Sequence, residues 1–298
     1  MSPDEDAAGD LGRVSLDGLR LEAVAAARPR AAQPRAVGEA RATASIASRG
    51  GIRRSVLGDL RQSGSAKILL PRRPGPDLEA VMLNTAGGVT GGDRFRWSAE
   101  AEADARLVLS TQAAERAYRA QPGETGRVEA RLAAGAGATL MWLPQETILF
   151  DGSRLRRRLE VDLDPSARFL AIEPVVFGRA ASGERLGAFF FSDQWRVRRG
   201  GALAYADAVR IDGAAALAGA ATLAGAGAMA SLLLVAEDAE ASLAPLRALL
   251  PAAGGASLIR PGVLAARFVA ADGFALRCAL APAIEALAGR PLPSVWKL

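Results

Sequence analysis

Leu83-Asn84-Thr85-Ala86-Gly87-Gly88-Val89-Thr90-Gly91-Gly92-Asp93-Arg94-Phe95 is the stretch that decides how this chain folds. Glycine is the default residue where the backbone needs positive φ or where another segment must come close. Two glycine pairs flank Val89-Thr90, between the apolar Val81-Met82-Leu83 and the alternating Phe95-Arg96-Trp97. That pattern predicts a sharp, tightly packed turn between two strands, with Asp93 either part of the turn or presented to a partner or metal ion. A phosphate cradle does not fit. The Lys-Ser/Thr of a P-loop and the G-x-G-x-x-G spacing are both missing, and a strand follows where an anion site needs a helix N-terminus.

Outward from this turn the period-2 signal continues. Phe95, Trp97, Ala99 and Ala101 alternate with Arg96, Ser98, Glu100 and Glu102. Val128, Ala130 and Leu132 repeat the pattern, and so do Leu159, Val161 and Leu163. Each alternating strand is followed by a small-residue turn and a second apolar strand. The second strands begin at Ala105, Ala138 and Ala167, steps of 33 and 29 residues. All-strand repeats of this length predict stacked β layers, each burying its face on the next. The same counting puts Thr111-Gln112, Pro144-Gln145 and Glu173-Pro174 on equivalent rungs. Gln112, Glu115, Gln145, Glu146 and Glu173 should therefore gather near one end of the stack.

The fold expected is mainly β: helically stacked strand layers, a β-solenoid-like scaffold, with a small C-terminal α+β lobe. Residues 1–39 read as a disordered or loosely ordered leader, 40–213 as the stacked body and 214–228 as an Ala/Gly-rich connection. Residues 229–298 read as a βαββα lobe on the body, with helical spacing over Asp238–Leu250 and Gly273–Leu287. The tail Val295-Trp296-Lys297-Leu298 is exposed or docked. Trp97, Trp142 and Trp195 belong in the core, and Cys278, in an apolar run, reads as a buried small hydrophobe.

Composition narrows function. The chain has 298 residues, a formal charge of +5, one cysteine and no histidine. Ser-His-Asp and Cys-His catalysis, zinc-hydrolase sites and imidazole nickel sites are thereby excluded within this chain. Any metal must meet carboxylates, backbone carbonyls and water. The basic residues are nearly all Arg, scattered, with few aromatics and no nucleic-acid motif, so no nucleic-acid partner is expected. No apolar run is long enough for a membrane span and the acidic N-terminus is unlike a signal peptide, so a cytoplasmic protein is expected.

Six pieces stand in an order that carries a family resemblance. They are Gln62-Ser63-Gly64, the Gly-Gly-Val-Thr-Gly-Gly-Asp turn, Ser110–Arg119, Trp142–Gly152, Gly178–Arg185 and Pro293-Ser294-Val295-Trp296. In these the chain resembles the UreD/UreH family of urease accessory proteins, over roughly residues 40–298. Thr85-Ala86 departs from the Pro-Pro that many relatives carry there. The resemblance implies a helically arranged β scaffold that joins the accessory proteins UreF and UreG. It implies that this complex binds apo-urease and inserts nickel, with GTP hydrolysis done by UreG. The chain would then be no enzyme, would hold no cofactor tightly, and would meet nickel only in transit, along a water-filled route.

Nickel(II) prefers imidazole and thiolate, so a route lacking both would hold it loosely, steered by carboxylates. The candidates are Asp93, Glu115, Glu146, Glu173 and Glu184, each inside a family-like motif. Glu146 and Glu173 lie between apolar residues, where burial would demand pairing or hydration. The plainer reading of each is a carboxylate that caps a turn or pairs with an Arg such as Arg94, Arg116 or Arg179. For partner contact the candidates are Tyr118 and Arg119 at a strand end, and Arg156 and Arg157 in the run Arg154–Arg158, otherwise a solvated strand start. Two rival classes stay open: a carbohydrate-acting β-solenoid enzyme pairing carboxylates such as Glu146 and Asp151, and a partner-binding β-scaffold without metal.

Overall fold

The alternating stretches become strands in the computed structural model, which describes residues 33–179, 182–184 and 186–297. Residues 1–32 of the expected leader lie outside the described residues, and the first strand opens at Val37. In chain order the early strands are β1 (Val37–Arg49), β2 (Ile52–Gly64), β3 (Ala66–Leu69), β4 (Leu78–Asn84) and β5 (Arg94–Ala101). Then come β6 (Arg106–Thr111), β7 (Glu115–Ala117), β8 (Gly126–Ala134), β9 (Thr139–Leu143), β10 (Thr147–Leu149), β11 (Arg154–Leu163) and β12 (Arg168–Phe177). The chain continues with β13 (Phe190–Arg199), β14 (Ala202–Asp212), β15 (Ala228–Val235), α1 (Leu243–Leu249), β16 (Gly255–Arg260), β17 (Val263–Ala270) and α2 (Gly273–Ala288).

Two sheets result. The first runs β14-β13-β11-β8-β5-β1-β2 and the second β16-β17-β15-β12-β9-β6-β4-β3. Each repeat lays one strand in each sheet, parallel to the strand of the previous repeat. Leu107 pairs with Leu140 and Leu140 with Phe169, which are the 33- and 29-residue steps. A third, shorter face closes each coil: Val89 bridges Ala117, β7 pairs with β10, and β10 pairs with β12. The architecture is the mainly β, solenoid-like stack that the repeat predicts.

Alternation sets the core. Phe95, Trp97, Ala99 and Ala101 point between the sheets and are buried, as are Leu155, Leu159, Val161 and Leu163. Trp142 and Trp195 are buried with them. The far side of the second sheet is covered by helices. Leu276, Leu280, Ala283, Ile284 and Leu287 recur at helical spacing along α2 and pack with Leu170, Ile172, Leu232, Leu234 and Phe268. β15 is therefore covered on both faces, and all its residues are buried. It pairs with β12 along Phe169–Val176, so the C-terminal strands continue the second sheet.

Two details differ from the sequence reading. The helix expected over Asp238–Leu250 is split into a 3₁₀ turn, Ala239–Ser242, and α1. Pro245 sits in the first turn of α1, where a missing N–H costs nothing. Cys278 is exposed rather than buried, because it falls off the Leu276-Leu280-Ala283-Ile284-Leu287 stripe. The C-terminal tail docks: Trp296 is 3% exposed, and its indole N–H donates to the Leu143 carbonyl at 2.9 Å. Among the described residues no helix is long and apolar enough to cross a membrane.

Candidate functional site

The stacked ladder breaks at one level. Between β6 and β7 the chain passes through Gln112-Ala113-Ala114, and between β9 and β10 through Pro144-Gln145-Glu146. On the next coil the same rung is Glu173-Pro174, inside β12, where a proline N–H is not needed because the β9 side has ended. Side chains from the break and from both sheets enclose a cavity of about 240 Å³. Its polar lining includes Asn84, Gln112, Glu115, Gln145, Arg157 and Glu173, and Trp97 and Trp142 form apolar wall.

At its inner end lies a buried ionic group. Glu173 accepts the Trp142 indole N–H at 2.9 Å and stands 3.0 Å from the Arg157 guanidinium. The same Arg157 nitrogen donates to Asp193 at 2.7 Å, and its other terminal nitrogen donates to Thr147 Oγ1 at 3.0 Å. One guanidinium thus serves two carboxylates. Burial pushes Glu173 up to about 7, opposed by Arg157 and reinforced by Asp193. One oxygen each of Glu173 and Asp193 accepts no hydrogen bond from the protein; that of Glu173 is the oxygen that faces the Arg157 guanidinium at 3.0 Å.

Glu115 stands at the mouth. Both of its carboxylate oxygens face the Asn84 side-chain amide at 3.2 Å. Asn84 also donates to the Gly88 carbonyl at 2.9 Å and accepts from Ala86 N–H at 2.9 Å, which ties the mouth to the glycine turn. Burial pushes Glu115 up to about 7, against the Asn84 hydrogen bond. Gln145 is 6% exposed and is gripped by the C-terminal elements. It accepts from Arg277 at 2.7 Å and donates to the Val295 carbonyl. The docked tail therefore fixes one wall of the cavity.

The other candidate carboxylates lie elsewhere. Asp93 is 4% exposed and closes the glycine turn, accepting from Ala36 N–H and Thr90 N–H, both at 2.8 Å. Glu146 is not part of the cavity lining and meets, at 3.4 Å, the same Arg277 nitrogen that donates to Gln145. Glu184 pairs with Arg179 at 3.2 Å, and hydrogen bonds from Arg179 hold it below the usual carboxylate range. Asp151 accepts from Gly187 N–H at 2.9 Å, from Ala188 N–H at 3.0 Å and from Arg119. Glu146 and Asp151 are thus each committed to a separate cation. Among the described residues no three Asp, Glu or Cys side chains converge to hold a metal ion.

The partner-contact candidates divide as well. Tyr118 packs edge-on against Phe150, ring centres 4.9 Å apart, and donates to the Gly87 carbonyl at 3.2 Å. Arg119 is exposed and paired with Asp151. Arg156 is exposed on the outer face. Arg157 is buried in the cavity wall and is not available to a partner at the surface. Its inward direction is legible in the alternation, since Leu155 and Leu159 share its face. Asp193 is likewise turned inward by alternation with Phe191 and Trp195, whereas the role of Asn84 had no such signal, because it comes from a residue distant in sequence.

The family model described as "UreD urease accessory protein" matches residues 38–297. The chain is 52% identical over 246 residues to a urease accessory protein UreD of Ruegeria pomeroyi, covering 82% of this chain and 96% of that one. It is 45% identical over 287 residues to that of Ruegeria sp. TM1040, covering 93% and 94%. To that of Agrobacterium fabrum it is 46% identical over 248 residues, covering 82% and 87%. A match that runs through the coils, the glycine turn and the docked tail means that this chain belongs to the UreD family of urease accessory proteins.

Proposed function

We propose that the chain is the scaffold of a cytoplasmic complex with UreF and UreG that engages apo-urease for nickel insertion, GTP hydrolysis being the work of UreG. We further propose that the cavity between the sheets is part of the route that nickel follows. The observation that carries this is Glu115 and Glu173 in one cavity of a chain without histidine. Carboxylates and water bind nickel(II) less firmly than imidazole or thiolate, so an ion meeting this pair would be guided without being kept. Both acids lie near pH 7, so each can release a proton as a cation arrives. In this reading nickel is cargo, and the chain itself makes and breaks no bonds.

The test is co-expression of the full chain with UreF-like and UreG-like proteins and apo-urease, comparing wild type with Glu115→Gln and Glu173→Gln. The expected result is full recovery of the complex, with nickel loading and urease activation about ten-fold lower. Equal activation by wild type and both variants would sink the route and leave the scaffold standing. Failure of the wild-type chain to associate with any of these proteins would sink the scaffold.

A further inference from the structure

We propose that the outer face of the first sheet, where β5, β8 and β11 begin, docks a carboxylate-rich surface of a partner protein. Arg94 pairs in register with Arg127, and Arg127 with Arg156. Neighbouring strands lie about 4.8 Å apart, so three guanidinium stems rise side by side from one rung. The rung continues through Ser192 to Arg210. At its other end it reaches Val37, an apolar side chain 60% exposed. Beside it, Arg154, Arg156 and Arg210 lie over the Phe190 ring at 5.0, 5.5 and 5.0 Å. Stacking of that kind holds guanidinium planes in place while they remain exposed.

On the next rungs of these three strands the arginines are paired. Arg96 meets Glu129 at 3.6 Å, Arg131 meets Glu160 at 3.3 Å and Arg158 meets Glu160 at 2.6 Å. Among the described residues, Arg94, Arg127, Arg154 and Arg156 have no carboxylate within ion-pair distance, while their neighbours do. Like charges facing each other on adjacent strands are destabilising. A rung that keeps this arrangement beside rungs that avoid it is suited to neutralisation from outside. Arginine forks bind carboxylates in pairs, and arginine with exposed apolar side chains is characteristic of protein interfaces. A phosphate backbone is the poorer fit, since it would run off the row onto Glu129 and onto Asp212, which is exposed 3.8 Å from Arg210.

This inference rests on the reading that the chain works in a protein assembly. Its test uses the full chain carrying Arg94→Gln, Arg127→Gln and Arg156→Gln together, in the same co-expression. The control carries Arg41→Gln, Arg53→Gln and Arg61→Gln, an equal loss of charge at exposed arginines paired within the fold. We expect the row variant to bind one of UreF, UreG or apo-urease about ten-fold more weakly, with a flatter salt dependence, and the control to bind as wild type. Phenylglyoxal should modify the row in the free wild-type chain and spare it in the complex. Equal binding by row variant and wild type, or full modification of the row within the complex, overturns the inference and leaves the scaffold reading intact. If wild type captures none of the three proteins, the scaffold reading itself has failed, and this inference with it. Row-dependent binding of a DNA duplex of about 20 base pairs at about 150 mM salt, with protein binding unaffected, overturns the choice of a protein partner.

Discussion

Arg157 and Glu173 reach toward each other from opposite sheets, 3.0 Å apart, with Asp193 held 2.7 Å from the same guanidinium nitrogen. The group is buried and joins the two sheets at the level where the ladder breaks. Burial pushes Glu173 up to about 7, the Arg157 charge opposing the shift and the nearby Asp193 carboxylate adding to it.

Removing the cation alone should be costly. Arg157→Met leaves Glu173 and Asp193 without their shared partner, and we expect a loss of about 3–5 kcal/mol in urea unfolding. Adding Glu173→Gln and Asp193→Asn to that variant should restore most of the loss. If the triple variant is no more stable than Arg157→Met, the cost lies in packing and not in charge.

Stability should fall as pH rises through the slightly acidic range. A carboxyl raised from 4.5 to about 7 in the folded chain binds its proton more tightly there than in the unfolded chain. Its contribution is complete below about pH 4.5 and is lost as pH climbs to about 7. For the buried Glu173 this amounts to no more than about 3 kcal/mol. Melting curves between these limits should therefore show a shallower decline for Glu173→Gln than for wild type. Parallel declines would contradict the raised pKa of Glu173.

Asp93 should behave as architecture. Asp93→Ala removes the acceptor of both Ala36 N–H and Thr90 N–H, at about 1–3 kcal/mol for each buried donor left unpaired. We expect a lower melting temperature and poorer yield, with Asp93→Asn milder because one acceptor survives. A stable Asp93→Ala chain that assembles but fails to deliver nickel would return Asp93 to the route.

Gly88 tests the turn from the other side. Its φ is +154°, and a Cβ would run into the Tyr118 ring and stand 2.7 Å from the Arg116 carbonyl oxygen. Gly88→Ala should cost about 2–3 kcal/mol, from overpacking in a backbone region that other residues avoid. Tyr118→Ala should relieve part of that loss in a double-mutant cycle.

Much of the architecture was legible because it is periodic. The 33- and 29-residue steps are the strand registers themselves, and they gathered Gln112, Glu115, Gln145 and Glu173 on one cavity. Glu146 departs from that group because Arg277, brought in by the C-terminal helix, engages it outside the cavity lining. Arg157 was written into the same alternation, yet a run of arginines reads most simply as solvated surface. Cys278 went astray for a related reason: in a helix, burial follows the stripe of every third or fourth residue, not the apolar content of the run.

The amino-acid sequence by itself determined the coils, the direction of most side chains, the glycine turn and the absence of imidazole, since each is a property of spacing or composition. Only the tertiary structure decided that Glu173 meets Arg157 and Asp193, that Asn84 meets Glu115, and that Val295 closes on Gln145. Those pairs join segments whose mutual placement depends on how two sheets and a tail pack together. Local periodicity says which way a side chain points, and packing alone says what waits there.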